Sequence, residues 1–157
     1  MHAPFQSTVM TVRPEWIDFN GHLNMAYYGV LFDLGADQMF EHFGFGPDYQ
    51  GRTGNTTYAA EFHVRYVREL HVDDPVIVTY HLVDHDEKRL HSFQEIRHVD
   101  GWLAATGETM TLHVDQSGPR VAPMPQDVQD RVQAVARAHA VLPKPKAVHA
   151  SIGIRRR

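Results

Sequence analysis

The sequence predicts an α+β fold in which one long helix lies against an antiparallel sheet, and three observations predict it. Between Met25 and about Phe43 the apolar residues Tyr27, Val30, Leu31, Leu34, Met39, Phe40 and Phe43 recur at helical spacing. After Asn55 the period changes to two, which is the spacing of strands. Asp100-Gly101 then joins two long alternating runs, and this dipeptide is a strong two-residue hairpin signal.

Each element follows from local chemistry. Thr8 to Val12 is a short β-prone run stopped at Arg13-Pro14, because the residue before proline is held extended. Trp16 to Asn24 is polar and contains Gly21, so it reads as a loop delivering the chain into the helix, with Asn24 as N-cap. The helix has a broad apolar face, as expected of one embraced by a sheet, and Gly44, Gly46 and Pro47 end it. Asp48 to Asn55 is polar and glycine-rich, and an exposed loop is expected. Thr57 to Val67 reads as a strand with a break. In the next strand Val76, Val78, Tyr80 and Leu82 alternate with Ile77, Thr79, His81 and Val83, so both faces are partly buried. Asp84 to Lys88 is a charged turn. Arg89 to Val99 and Trp102 to Val114 complete an antiparallel meander. Gln116 to Pro125 holds three prolines and is a linker. Gln126 to Leu142 carries Val128, Val132, Val135 and Leu142 on one side, which predicts a C-terminal helix. Residues 1–143 are expected to form a single domain and 144–157, ending in three arginines, a flexible basic tail.

Composition narrows the function classes. A chain of 157 residues can bury a core without covalent staples. With no cysteine there is no disulfide framework, thiolate zinc site or cysteine nucleophile, and a reducing cytoplasmic setting fits. A net charge of −4 gives no footprint for nucleic acid or a membrane surface. The first ten residues hold no basic region followed by an apolar run, so no secretory leader is expected. Twelve histidines raise the question of metal, but there is no His-Glu-x-x-His, and His81, His85 and His91 fall on opposite strands around a turn. No metal is expected.

The chemistry concentrates in Asp18-Phe19-Asn20-Gly21-His22-Leu23-Asn24, immediately before the long helix. An aspartate is ionised at neutral pH and serves either as a nucleophile or as base for a water. A helix N-terminus adds unpaired N–H groups and a partial positive charge. The plainer alternative is that Asp-x-Asn-Gly is only a turn and Asn24 only a cap.

Together with Tyr28 and Asp33 on the helix, this segment resembles the hotdog thioesterases of the 4-hydroxybenzoyl-CoA thioesterase type, from about Thr8 to Asp115. The resemblance implies a hotdog fold, an antiparallel sheet wrapped around one central helix, here with an added C-terminal helix. It implies an acyl-CoA thioesterase that releases a small free acid and CoA without a cofactor. Asp18 matches the catalytic carboxylate, and the Met25 backbone N–H the oxyanion donor. Asn20, Gly21, His22, Asn24, Tyr28, Asp33 and Glu61 are the candidates for substrate contact. The implied assembly is a homodimer or homotetramer with active sites between subunits. Many relatives carry a second Asp two residues before the catalytic one, and Trp16 stands there instead, which puts loop detail and substrate in doubt rather than chemistry.

Pro14-Glu15-Trp16-Ile17-Asp18 and His85-Asp86-Glu87-Lys88-Arg89-Leu90-His91 are similar to thioesterases of carnitine catabolism, which act on betainyl-CoA. On that likeness Trp16, Tyr27, Tyr28, Tyr58, Phe62 and Trp102 are candidates for a trimethylammonium cage. Arg65, Arg68, Lys88 and Arg89 are candidates for the CoA phosphates. Each has a blander reading: aromatic stripes are usually core, charged turns usually solvated, His22 a loop hydrogen-bonder, and Glu61 a solvated strand residue. Asp33, Asp37 and Glu41 form an i,i+4 acidic row that is most simply a solvated stripe, with Asp33 the member other hotdog enzymes use as an acid. Two rival functions stand beside hydrolysis: a hotdog hydratase or dehydratase, and a non-catalytic acyl-CoA-binding module.

Overall fold

The structure, a computed structural model, describes residues 3–149. Its centre is helix α1 (Met25–Phe43) against an antiparallel sheet. The sheet is built from β1 (Phe5–Gln6), β2 (Met10–Thr11), β3 (Asn55–Tyr66), β4 (Pro75–His85), β5 (Arg89–His98), β6 (Leu103–Asp115) and β7 (Arg120–Val121). The strand order is β1-β4-β5-β6-β3, with β2 also on β4 and β7 on β6. A short helix α2 (Tyr49–Thr53) precedes β3, and helix α3 (Gln126–His139) follows β7.

Helix α1 starts where the Asn24 side chain accepts the Ala26 N–H, and it stops at Gly44, whose φ of 96° suits a glycine C-cap. Tyr28, Leu31, Phe32, Gly35, Met39 and Phe43 are its buried residues. They recur at three- and four-residue intervals and meet Val78, Tyr80, Leu82, Leu90 and Ile96, which alternate along β4 and β5. Gly35 sets the spacing: a Cβ there would lie 2.5 Å from the Val78 Cβ. The buried Gln94 amide donates to the Phe32 carbonyl at 2.9 Å and pins the sheet to the helix midpoint.

The two edges of the sheet are treated differently. Beside β4 lie β1 and β2, and beyond Phe5 helix α3 takes over: His139 Nδ1 accepts the Leu82 N–H at 3.0 Å. On the other side, among the described residues, β3 pairs only with β6, so its twelve residues form an open edge with Tyr58, Phe62 and Tyr66 exposed.

Several sequence expectations need correction. The N-terminal strand begins earlier than Thr8 and is split in two, with Ser7 bridging the break by accepting Val78 N–H on its hydroxyl and donating its own N–H to Val78 O. Asp48 to Asn55 is not simply an exposed loop, because α2 buries Tyr49, whose hydroxyl bonds His113 Nε2 at 2.7 Å. The apolar face of α1 is narrower than its composition suggests, since Val30 and Leu34 stay exposed while Tyr28 and Phe32 are buried. Helix α3 ends at His139, which fills the inward position ahead of Leu142. The break in β3 is a bulge between Ala59 and Glu61. Of the C-terminal tail, residues 144–149 are described: the chain turns at Pro145–Val148 and the His149 N–H reaches Glu108. Residues 150–157, with the three arginines, lie outside the described part. Among the described residues no helix is long and apolar enough to cross a membrane.

Candidate active site

The loop before α1 is a small closed hairpin. Gly21 N–H donates to Asp18 O and Asp18 N–H to His22 O, while Gly21 takes φ 83°, a conformation glycine adopts without penalty. Ile17 and Leu23 form a bridge across its base, and Leu23 N–H donates to Leu70 O at 2.7 Å. Asn24 N–H donates to Trp16 O, so the hairpin is fixed on both sides. Phe19 at its tip is 99% exposed.

This framework gives Asp18 a defined pose. One carboxylate oxygen accepts the Asn20 N–H at 2.8 Å, and the other finds no partner among the described residues. At the helix start, Asn24 accepts Ala26 N–H through its side chain and Tyr27 N–H through its carbonyl. The Met25 N–H has no acceptor among the described residues, so the partial positive end of α1 keeps one free donor. Asp18, His22, Asn24, Met25 and Tyr28 line one cavity of about 380 Å³, closed on its far side by Tyr66, Val67, Arg68 and Glu69 at the end of β3. A residue with an unpartnered carboxylate oxygen and one with an unpaired amide lining the same space suit attack at a carbonyl and stabilisation of the resulting oxyanion.

The walls of the cavity are braced. Tyr28 is buried, its hydroxyl accepts Leu70 N–H at 3.2 Å, and burial pushes its pKa up. Tyr66 donates to Met25 O at 3.2 Å and stands edge-on to Tyr28 at 5.1 Å. Glu69 lies 3.9 Å from His22 Nε2 and 3.8 Å from His71 Nε2. Tyr66 and Glu69 were not singled out from sequence, although strand alternation puts Tyr66 on the face of Val64 and Phe62, the helix side.

The sequence profile of the thioesterase-like superfamily matches residues 12–132, most of the chain and the whole of this site. The chain belongs to that superfamily. Its architecture is the hotdog fold, and its chemistry is acyl-CoA thioester hydrolysis. The betainyl-CoA thioesterase of Pseudomonas aeruginosa is 37% identical over 148 residues, covering 91% of each chain. The L-carnitine dehydrogenase/betainyl-CoA thioesterase of Rhizobium meliloti is 30% identical over 155 residues; the match takes in 98% of this thioesterase and 31% of that longer protein. A Staphylococcus aureus protein solved in complex with CoA superposes with a TM-score of 0.90 at 27% identity, over 96% of this chain and 95% of that one.

The remaining candidates of this thioesterase divide by position. Asn20 and Gly21 are exposed in the hairpin and contribute backbone. Asp33 is exposed two turns into α1, about 12 Å along the axis from Met25, and is not part of the cavity. Its neighbour Asp37 has a carboxyl pKa raised by burial and then by the charges of Asp33 and Glu41. Glu61 alternates with Phe62, which packs on Phe32, so it faces the outer side of the sheet, away from Asp18. Of the six aromatic candidates only Tyr28 lines the cavity. Trp16 is buried and stacked on Tyr27, and Trp102 lies between Arg68 at 4.1 Å and His98. Tyr58 and Phe62 lie further along β3, outside it. Arg68 borders the cavity, Arg65 shares the outer face with Glu61, and Lys88 and Arg89 sit at the β4–β5 turn beside Glu87 and Asp86. In register Arg89 is seven residues from the Ile96–Ala105–Tyr66 row, about 23 Å along the sheet. The four cations therefore do not form one patch within a single chain.

Proposed function

We propose that this thioesterase hydrolyses betainyl-CoA, with Asp18 as the catalytic carboxylate and the Met25 N–H as oxyanion donor. The observation that carries the reading is that Asp18, with a free carboxylate oxygen, and Met25, with an unpaired N–H, line one cavity. In hydrolysis either Asp18 takes a proton from a water that adds to the thioester carbonyl and the C–S bond breaks to expel CoA, or Asp18 itself attacks, the C–S bond breaks as a mixed anhydride forms, and water then cleaves the anhydride to free the acid and Asp18. The negative charge on the carbonyl oxygen develops opposite the helix N-terminus, where one donor is worth about 10²–10³ in rate. A hydratase would pair its acid with a catalytic histidine at the carbonyl, whereas the Asp18 carboxylate bonds no histidine among the described residues, and a pure acyl-CoA-binding module needs no carboxylate there.

The acyl group is argued from charge. In betainyl-CoA the trimethylammonium is one methylene from the thioester carbonyl, so whatever receives the cation must lie beside Asp18. Tyr66, Tyr28 and the Glu69 carboxylate are so placed, and an aromatic face contributes about 0.5–2 kcal/mol to binding a cation. The 37% identity to a betainyl-CoA thioesterase points the same way. We assign the working unit to a cytoplasmic homodimer joined through the open β3 edges. Antiparallel β3 pairing about a two-fold axis would bring the partner's β4–β5 turn, with its cations, to the Asp18 end of the sheet, where CoA phosphates need charge.

The test compares CoA release from betainyl-CoA with release from 3,3-dimethylbutyryl-CoA, its uncharged isostere. Asp18→Asn lowers kcat on both by about 10²–10⁴. Glu69→Gln raises KM for the charged substrate and leaves the neutral one unchanged. Full activity in Asp18→Asn would refute the mechanism; equal handling of both substrates by the wild type would refute the substrate assignment alone.

A further inference from the structure

On the outer face of the sheet, opposite α1, three side chains converge from distant parts of the chain. His91 on β5 places Nε2 2.8 Å from Glu108 Oε1 on β6, and His149 in the C-terminal segment places Nδ1 3.7 Å from the same oxygen. All three ligand atoms lie within 4.8 Å of one another. His63, the register partner of Glu108 on β3, and Glu61 line the same bowl. We propose that His91, Glu108 and His149 form a binding site for a divalent transition-metal ion of the zinc class, which ties the C-terminal segment to the sheet.

The donor set decides the class of ion. Two imidazoles and one carboxylate suit zinc and its neighbours in the transition series, whereas magnesium and calcium prefer an all-oxygen shell. A zinc ion with bonds of about 2.0–2.1 Å holds tetrahedral ligand atoms about 3.3 Å apart, inside the range these three atoms span. Small movements of the His91 and Glu108 rings and carboxylate open their direct contact to admit the ion. The carboxylate is already oriented, because the His149 N–H donates to both of its oxygens at 2.9 and 3.1 Å. His91 and Glu108 are also mostly buried, with 13% and 15% of their side chains exposed, so the ion would be partly shielded from water. His149 holds a positive φ of 60°, uncommon for a residue with a side chain, and that conformation delivers both its N–H and its ring to Glu108. His63, Glu61 or a water completes the fourth position.

Ligand spacing explains why this site has no sequence motif: the strands bring 91 and 108 together, and the segment after α3 adds 149. The simpler occupant of the cluster is a hydrogen-bonded histidine–glutamate pair with no ion, and titration calorimetry separates the two. Full-length protein stripped with chelator is expected to take up one Zn²⁺ per chain with a dissociation constant of about 10 μM or tighter, and Mg²⁺ at the same concentration is expected to give no heat. His149→Ala lies outside the core and leaves folding intact, yet weakens Zn²⁺ by more than about tenfold; His91→Ala does the same. Co²⁺ in place of zinc gives the visible absorption of a tetrahedral site, and Zn²⁺ slows hydrogen exchange over 140–149. Absence of one-to-one uptake, or uptake unchanged in both His149→Ala and His91→Ala, overturns the proposal.

Discussion

His139 shows how one residue couples packing to pH. Its Nδ1 accepts the Leu82 N–H at the end of β4, its Nε2 is buried without a partner among the described residues, and His81 stands edge-on at 5.5 Å. Burial first, and then His81, hold its pKa down at about 4. A depressed folded pKa makes the neutral form the stabilising one. Its contribution is complete above the ordinary histidine value near 6.5 and is lost as pH falls towards 4, about 3 kcal/mol across that window. Thermal unfolding at pH 7 and pH 5 checks this. His139→Gln should lower stability at pH 7 and flatten the difference between the two conditions; an unchanged pH slope would mean the ring is not the titrating group. The sequence put Leu142 in this role, because apolar periodicity has no way to score a histidine that serves as an acceptor for a strand edge.

At the scale of elements, α1 and its sheet are set by how closely two backbones can approach. Gly35 sits against Val78, with room for no side chain, and Gly107 similarly meets the rings of Phe32 and Phe62. Gly35→Ala should destabilise the fold by about 1–3 kcal/mol, measured by denaturant midpoint, because helix and strand must separate. Paired with Val78→Gly, which removes the contacted Cβ, it should recover part of that loss. The existence and order of the main elements were legible, since Asn24, Gly44 and Asp100-Gly101 are strong local signals. Which face of α1 turns inward was less so. Tyr27, Val30 and Leu34 are as apolar as Tyr28, Leu31 and Phe32, and only the sheet distinguishes them. Helix α2 escaped for a different reason: a five-residue helix has too little periodicity to detect, and Tyr49 is buried by its bond to His113.

For the whole molecule, the open β3 edge is the feature that calls for a second subunit. Long unpaired strands attract pairing, and this one carries Phe62 at 43% and Tyr66 at 49% exposed. Light scattering should give the mass of a dimer or a multiple of it. Ala60→Pro, at the exposed bulged residue, should shift the protein towards single chains and lower hydrolysis while leaving the circular dichroism of the fold in place. An unaltered mass would move the interface elsewhere. Asp18 and the helix start could be proposed from sequence because they are contiguous in it. Tyr66, Glu69 and the His91–Glu108–His149 cluster were not, because strand pairing and chain return assemble them from separate stretches. The hairpin around Asp18 carries one further consequence. Held through Trp16, Leu70 and its own cross-bridge, the loop takes its shape when the polypeptide folds, so the carboxylate we propose as catalytic needs no loop rearrangement to be positioned.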